Sequence, residues 1–344
     1  MSNVSSPSLV RVALPIFPGV SAATVMGFYD VLTCAGRAWQ AMTEAASPEP
    51  LFQPVLVGSE KGAIPCANGV SLNATSDFGE AEDFDLVIVS SVLAPAPELA
   101  ANLDSGFIDW LKRMRSGGSA IASVCSGSLV LAQAGFLSGL TATTHWAYVG
   151  YFQEHFPDVT LRDREYLIDC NVTPPIYTAG GGSSWHDLAL HLVERYIGTE
   201  TAAQTARVFL MHWHEDQQTV FACLTPALAT ADAAVVQAQQ VMREHFAESD
   251  VIERAAESSG LSKRTYQRRF RQATGMTPTQ QLQFLRVERA KQVFQVTSKS
   301  VEEVGWEVGY EDTASFRRIF KKLNGISPGE FRRRFLPRNR TKSA

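Results

Sequence analysis

The carboxyl-terminal third of the 344-residue chain repeats itself. The stretch SGLSKRTYQRRFRQATGMTP (259–278) returns as VGYEDTASFRRIFKKLNGISP (308–328). Tyr266/Phe316, Arg268/Arg318, Phe270/Phe320, Gly275/Gly325 and Pro278/Pro328 recur at an interval of 50 residues, and Gly260/Gly309 at 49, a slip of one residue in a turn. Such an echo requires both copies to fold as the same supersecondary unit. Each copy reads as an apolar-faced helix (VIERAAESS, then VEEVGWEV), a glycine-containing turn, a helix cap (Ser262, Asp312) and a second helix rich in Arg and Lys. That order is a helix-turn-helix.

The second helix of each copy has two chemically distinct faces. Tyr266 and Phe270 stand at i and i+4, on the stripe expected to face a core. Arg264, Gln267, Arg268 and Arg271 fall at i, i+3, i+4 and i+7 on the opposite face. In the second copy Phe316 and Phe320 are expected to point inward and Thr313, Ala314, Arg317, Arg318 and Lys321 outward. Gln pairs two ways with adenine and Arg two ways with guanine in the major groove. Lys263, at the helix start, stands where backbone amides also attract phosphate. The alternative, a merely solvated basic helix, would need two copies to imitate the motif independently.

The charge distribution agrees. Residues 1–233 hold 10 Lys and Arg against 23 Asp and Glu, a net −13, whereas residues 234–344 hold 21 against 12, a net +9, together giving the chain's −4. Only the second part is therefore expected to meet a polyanion, double-stranded DNA. Five scattered cysteines with no CxxC pair point to neither a disulfide framework nor a zinc site and fit a reducing cytoplasm. The start MSNVSSPS lacks the pattern of a signal peptide, and runs such as DLVIVSSVLAPAP are too short and proline-broken to span a membrane, so no membrane partner is expected.

Residues 233–336 resemble the DNA-binding domain of AraC-type transcriptional regulators, with QQLQFLRVERAKQVF as the helix connecting the two copies. The resemblance implies two helix-turn-helix units entering successive major grooves about 34 Å apart on one face of the duplex. Carried over by position, it assigns base reading to Arg264, Gln267 and Arg268, then to Thr313, Ala314, Arg317 and Arg318. Ala314 can offer at most a methyl contact to thymine.

Upstream, short β-rich runs (LVRVALPIF, FQPVLVG, DLVIVSS, SAIASV) alternate with helical patterns (VMGFYDVLTCAGRAW, GFIDWLKRMRSG, SLVLAQAGFLSG, HDLALHLVERYIG), and a further helix is expected at 200–210. Alternation of this kind predicts an α/β domain with a parallel sheet covered by helices on both faces. Domain boundaries are expected at 9–211 for this part, 212–232 for a connecting segment and 233–336 for the all-α part, with flexible tails at 1–8 and 337–344. Asp232 is the expected cap of the helix AAVVQAQQVMREHF.

Within the α/β part, IASVCSGSLV (121–130) mounts Cys125 between a strand and a helix, with small residues crowding the turn. Such an elbow either presents a nucleophile or forms the floor of a binding pocket. FPGVSAATVMGFYDVL, ASVCSGSLVLAQAGFLSG, ATTHW and TAGGGSSWHDLALHLVERYIG resemble the PfpI/class I glutamine amidotransferase-like fold, flavodoxin-like, over residues 9–197. This order followed by an AraC-type domain resembles the GlxA-like regulators, in which the first domain serves as a sensor. The resemblance implies a small-molecule effector and a homodimer.

Enzymes of that superfamily place an acidic residue after the first strand, where this chain has Thr24, and PfpI-type peptidases follow the cysteine with histidine, where this chain has Ser126. A threonine is no general base near neutral pH. A long-range Cys–His pair through His145 or His186, oriented by Asp187, stays open. The expectation is therefore a non-catalytic ligand pocket comprising Thr24, Cys125, Ser126, His145, Trp185 and His186, in a ligand-responsive regulator. A Cys-dependent hydrolase carrying a DNA-targeting module is the rival. HWHED (212–216) offers two alternating histidines without a third ligand, and AGGGSS (179–184) lacks the lysine of a phosphate-binding loop, so no metal and no cofactor are expected.

Overall fold

A computed structural model describes residues 9–43, 48–80, 83–214 and 232–335. These form two compact units, 9–214 and 232–335. Beyond His214 the expected connecting segment, with Phe221, Cys223 and Leu224, lies outside the described residues, as do the terminal tails.

In the first unit consecutive strand residues are buried, so both faces of the sheet are covered. Strand β1 (Val10–Pro15) keeps Val12, Ala13 and Leu14 wholly from solvent. The same holds along β4 (Leu86–Val89), β5 (Ala120–Val124) and β7 (Ile176–Ala179). Unbroken apolar runs are what a parallel strand between helical layers requires. With β2 (Phe52–Gly58), β3 (Ser76–Asp77) and β6 (Leu167–Asp169) they build a seven-stranded sheet in the order β6-β7-β5-β4-β1-β2-β3. All pairings are parallel except β6 with β7. The sheet is parallel as expected, with one antiparallel edge. Leu167, Ile168 and Asp169 are too few and too exposed to show a readable period.

The chain winds outward from β1 in one direction through β2 and β3, then returns to β1's other side with β4 and β5. The crevice outside the carboxyl ends of β1 and β4 is thus the topological switch point, where ligands of open α/β sheets bind. Helix α1 (Ala22–Cys34) starts there, capped by Ser21. It ends before Gly36, whose φ of +71° closes it, and the expected single helix continues only as a short separate one, Ala38–Thr43. Helices α2 (Ser105–Ser116), α3 (Gly127–Gln133), α4 (Trp185–Tyr196) and α5 (Thr199–Phe209) follow, each on a segment expected to be helical.

The second unit is helical: α6 (Ala233–Glu244), α7 (Val251–Ser258), α8 (Lys263–Thr274), α9 (Pro278–Val296), α10 (Val301–Glu307), α11 (Thr313–Asn324) and α12 (Pro328–Phe335). The repeat extends to its caps. Ser262 Oγ accepts from the Thr265 amide at 3.4 Å, and Asp312 accepts from the Ala314 and Ser315 amides at 3.0 and 2.9 Å. Asp232 caps α6 as expected, accepting from the Ala234 and Val235 amides. Both basic helices end on a glycine at positive φ, Gly275 (+70°) and Gly325 (+81°), which frees the backbone for the reversal. The central helix α9 joins the halves: Leu282 belongs to a core with Tyr266 and Phe270, and Phe294 to a core with Phe316, Phe320 and Phe331.

One glycine in the first unit is fixed by contact. A β-carbon at Gly127 would lie 2.4 Å from the Val89 carbonyl oxygen, and backbone cannot swing away. Replacing Gly127 with Ala is expected to destabilise the protein by about 1–3 kcal/mol, as overpacking does, read as a lowered thermal midpoint. An unchanged midpoint would refute the tight approach of α3 to β4.

Candidate nucleic-acid interface and Cys125 pocket

The two aromatic anchors of each basic helix are buried to within 1% exposure. With that stripe fixed inward, Lys263, Arg264, Gln267, Arg268 and Arg271 all emerge on the exposed side of α8. The structure brings these five together along one concavity of about 940 Å³, whose other wall includes Ile252, Glu253, Ala256 and Glu257 of α7. A further arginine of α8 takes a different task. Arg269 donates from Nε and Nη2 to the Asp232 carboxylate at 2.8 and 2.7 Å, clamping α8 to the cap of α6. It stands between the outward positions 268 and 271, and nothing in the spacing names its partner.

On α11, Ala314, Arg317, Arg318 and Lys321 are exposed and Thr313 is half-buried. The copies differ at one of these exposed positions. Arg317, where the first copy has Gln267, donates to Glu302 of α10 at 2.6 Å; ahead of the turn the copies run at an interval of 49, so Glu302 matches Glu253. Both partners of this pair are solvated, so the pair orders the guanidinium while adding little stability.

In the α/β unit, Cys125 adopts φ +60°, a left-handed backbone that non-glycine residues avoid. Four hydrogen bonds hold it there, one of them from the Ser128 amide to its carbonyl at 3.4 Å. Its amide donates to the Ala179 carbonyl at 2.9 Å, and its carbonyl accepts from Ser128 Oγ at 2.8 Å and Thr144 Oγ1 at 3.3 Å. Ser126 fastens the next residue, its hydroxyl receiving the Val92 amide at 2.7 Å and donating to the Val92 carbonyl at 2.8 Å. Thr144 explains the ATTHW segment: it supports the elbow from outside.

The thiol itself is buried. Burial pushes its pKa above the ordinary cysteine value, and the Ser126 amide with the Ser91 and Ser126 hydroxyls only partly offsets this. Ser91, at the end of β4, is a neighbour the sequence did not single out. Tyr148 is another: burial, then the nearby Cys125, raises its pKa, and its hydroxyl donates to the Ala94 carbonyl at 2.9 Å. It lines a groove with Leu93, Ala94, Pro95 and Tyr151.

The other expected pocket residues are placed as follows. Thr24 is buried in the first turn of α1 with its hydroxyl on Ser21 Oγ at 3.2 Å. His145 accepts the Ala147 amide at Nδ1 (3.1 Å), its ring lies against Trp146, and burial lowers its pKa. Trp185 packs edge-on to Phe28 and over Gly27, where a β-carbon would lie 2.7 Å from the indole. His186 sits against Trp185, its pKa lowered by burial although Asp187 opposes the shift.

Neither imidazole hydrogen-bonds the thiol among the described residues, and Asp187 orients neither. Instead the buried Asp187 takes His214: one oxygen accepts the His214 amide at 2.8 Å and the other meets Nδ1 at 2.5 Å, while the His214 ring stacks on Tyr166. The cysteine–histidine arrangement left open by the sequence is therefore corrected. Asp187 serves the segment that leaves the domain, and one of the two histidines of HWHED is engaged by a carboxylate.

A cysteine elbow on a doubly wound sheet, followed by paired helix-turn-helix units on one helix, defines a two-part protein of the thiol-elbow α/β class with a helix-turn-helix domain. The chain belongs to the DJ-1/PfpI family, whose model matches residues 10–195, and a helix-turn-helix domain model matches residues 255–334. It is similar to the HTH-type transcriptional regulator CdhR of Pseudomonas aeruginosa, 26% identical over 285 residues that cover 82% of each chain. It is also similar to the HTH-type transcriptional regulator GlxA of Rhizobium meliloti, 25% identical over 293 residues, 83% of this chain and 86% of that one. Isonitrile hydratase of Pseudomonas putida is 28% identical over 193 residues, 56% of this chain and 75% of its own.

A raised thiol pKa makes a reactivity prediction. Above that pKa the thiolate forms, and below it the thiol is inert. Alkylation of Cys125 by iodoacetamide, followed by peptide mass mapping, is expected to be slow at pH 7 and to rise with a midpoint above that of a free cysteine. Ser91→Ala should move the midpoint further up. A midpoint at or below the free-thiol value would contradict the burial argument.

Proposed function

We propose that this protein is a cytoplasmic transcriptional regulator that reads specific double-stranded DNA through both basic helices and answers to a small-molecule effector bound beside Cys125. The observation that carries the reading is the equivalence of α8 and α11: a capping side chain at each start, a glycine at positive φ at each end, an aromatic pair buried in each, and exposed groups suited to base edges and phosphates. Similarity to two HTH-type transcriptional regulators, over 82% and 83% of this chain, supports it. Two copies of the chain engage adjacent half-sites as a homodimer. Effector occupancy changes DNA binding only so far as the effector favours one arrangement of the protein over another.

Similarity to isonitrile hydratase, with the strained Cys125 backbone, favours a second reading, a thiol-dependent enzyme that carries a DNA-binding module. Isonitrile turnover by the full chain that vanishes in Cys125→Ala, with DNA affinity unchanged, would establish that second reading.

The main reading is tested on duplexes selected from a random pool. Arg268→Ala should weaken the selected site by about 1–3 kcal/mol and relax base preference at one position. Lys263→Ala should weaken all sequences alike and reduce the salt dependence by about one ion. Wild-type affinity in both variants would overturn the assignment of the reading face.

A further inference from the structure

Gly260 and Gly309 occupy the same turn of the repeat, both at positive φ (+66° and +87°). Their surroundings differ. Beside Gly260 a β-carbon would meet open space, whereas at Gly309 it would lie 2.4 Å from the Ala247 carbonyl oxygen and 2.8 Å from two further backbone atoms of Ala247. The first glycine answers to backbone conformation alone; the second also permits docking. What docks there is the loop between α6 and α7, a part of the first helix-turn-helix half, pressed onto the turn of the second.

Arg286, from the middle of α9, fastens the same joint. Its Nε donates to the Phe246 carbonyl at 2.7 Å and its Nη2 to the Glu248 carbonyl at 2.9 Å, while its guanidinium covers the Tyr310 ring at 5.4 Å. Phe246 packs against both hydrophobic cores of the unit, and Tyr310 lies against Phe316, the inward anchor of α11, at 5.4 Å. The loop is stiffened within itself by His245 and Arg254, both bound to Glu248. The two reading helices are thus related through α9 and also through this second, side-by-side joint. A single helix spanning two modules leaves bending and torsion at its midpoint; a second attachment removes them.

We infer that the joint of Gly309 and Arg286 with the Phe246–Glu248 loop fixes the phase between α8 and α11, and so sets which spacing of contacted base pairs this protein accepts. The inference rests on both helices reading one duplex, as proposed above. Neither residue belongs to the reading face.

The test uses the full chain and a duplex selected by it from a random pool, with probes in which the interval between the two protected segments is lengthened or shortened by one and two base pairs. Wild type is expected to lose at least tenfold in affinity on the altered probes. Arg286→Met, which keeps the aliphatic stem and removes the donors, should lose less than threefold between the same probes, and Gly309→Ala should do likewise. The ratio between probes is the readout, because a general loss of stability lowers both affinities together. Should Gly309→Ala fail to fold, Arg286→Met decides alone. A wild-type spacing penalty in the folded Arg286→Met variant overturns the inference while leaving the DNA-reading function intact; failure of the wild type to select any duplex overturns the function itself.

Discussion

Two pairs of aromatic rings, each one helical turn apart, decide which way the basic helices face. Tyr266 with Phe270 and Phe316 with Phe320 have ring centroids 5.4 and 5.7 Å apart and nearly the same edge-on geometry. Burying one such ring stabilises by roughly 1.5–3 kcal/mol, whereas a solvated arginine contributes close to nothing by its own contacts. The rings therefore set the helix rotation and the cations take what remains. Thr274 and Asn324 repeat the pattern one turn later, each side chain donating to the carbonyl of the second ring's residue, Phe270 at 2.7 Å and Phe320 at 2.9 Å. The exposed basic face is in this sense a by-product of the core, and its orientation survives changes in the exposed residues themselves.

The same priority governs the cysteine elbow. A left-handed non-glycine residue costs on the order of 1–2 kcal/mol, and the backbone keeps it because Ala179, Ser128 and Thr144 satisfy both polar groups of Cys125. The arrangement crowds the thiol among hydroxyls and apolar walls. Burial then favours the neutral form, the opposite of what a nucleophile needs. The helix that follows supplies amides near sulfur, yet the net direction is upward. Hydrogen bonds hold the elbow, while burial favours the thiol over the thiolate.

Legibility in the sequence followed periodicity. The helix-turn-helix copies, their caps at Ser262 and Asp312, and the strands of the parallel core were readable because each rests on contacts within a few residues or on unbroken apolar runs. The partners of Asp187, Arg269 and Arg317 were not, because an ion pair between elements leaves no trace in spacing. Asp187 stands beside His186 in the chain yet binds His214, 27 residues on. Gly36 was read through as helix because an isolated glycine is tolerated by the pattern, and only the positive φ and the side chain of Leu51 show that the helix must stop there. Gly260 and Gly309 looked equivalent for the reverse reason: sequence displays the shared turn and hides the one contact that separates them.

The Asp187–His214 pair ties His214 to α4. His214 is the last described residue of the first unit, and it is held on both its backbone and its ring by a carboxylate from the first turn of α4. That turn begins beside β7, whose Ala179 accepts the Cys125 amide, and the Gly180 amide just past β7 donates to the carbonyl of Tyr166, against which His214 stacks. A displacement of α4 must therefore either carry His214 with it or break two hydrogen bonds to a buried carboxylate, which would leave that carboxylate poorly solvated. The second course costs more than the first, since a buried charge stripped of its donors is penalised by several kcal/mol. His214 thus follows α4 by the cheaper alternative, with no change needed in the sheet.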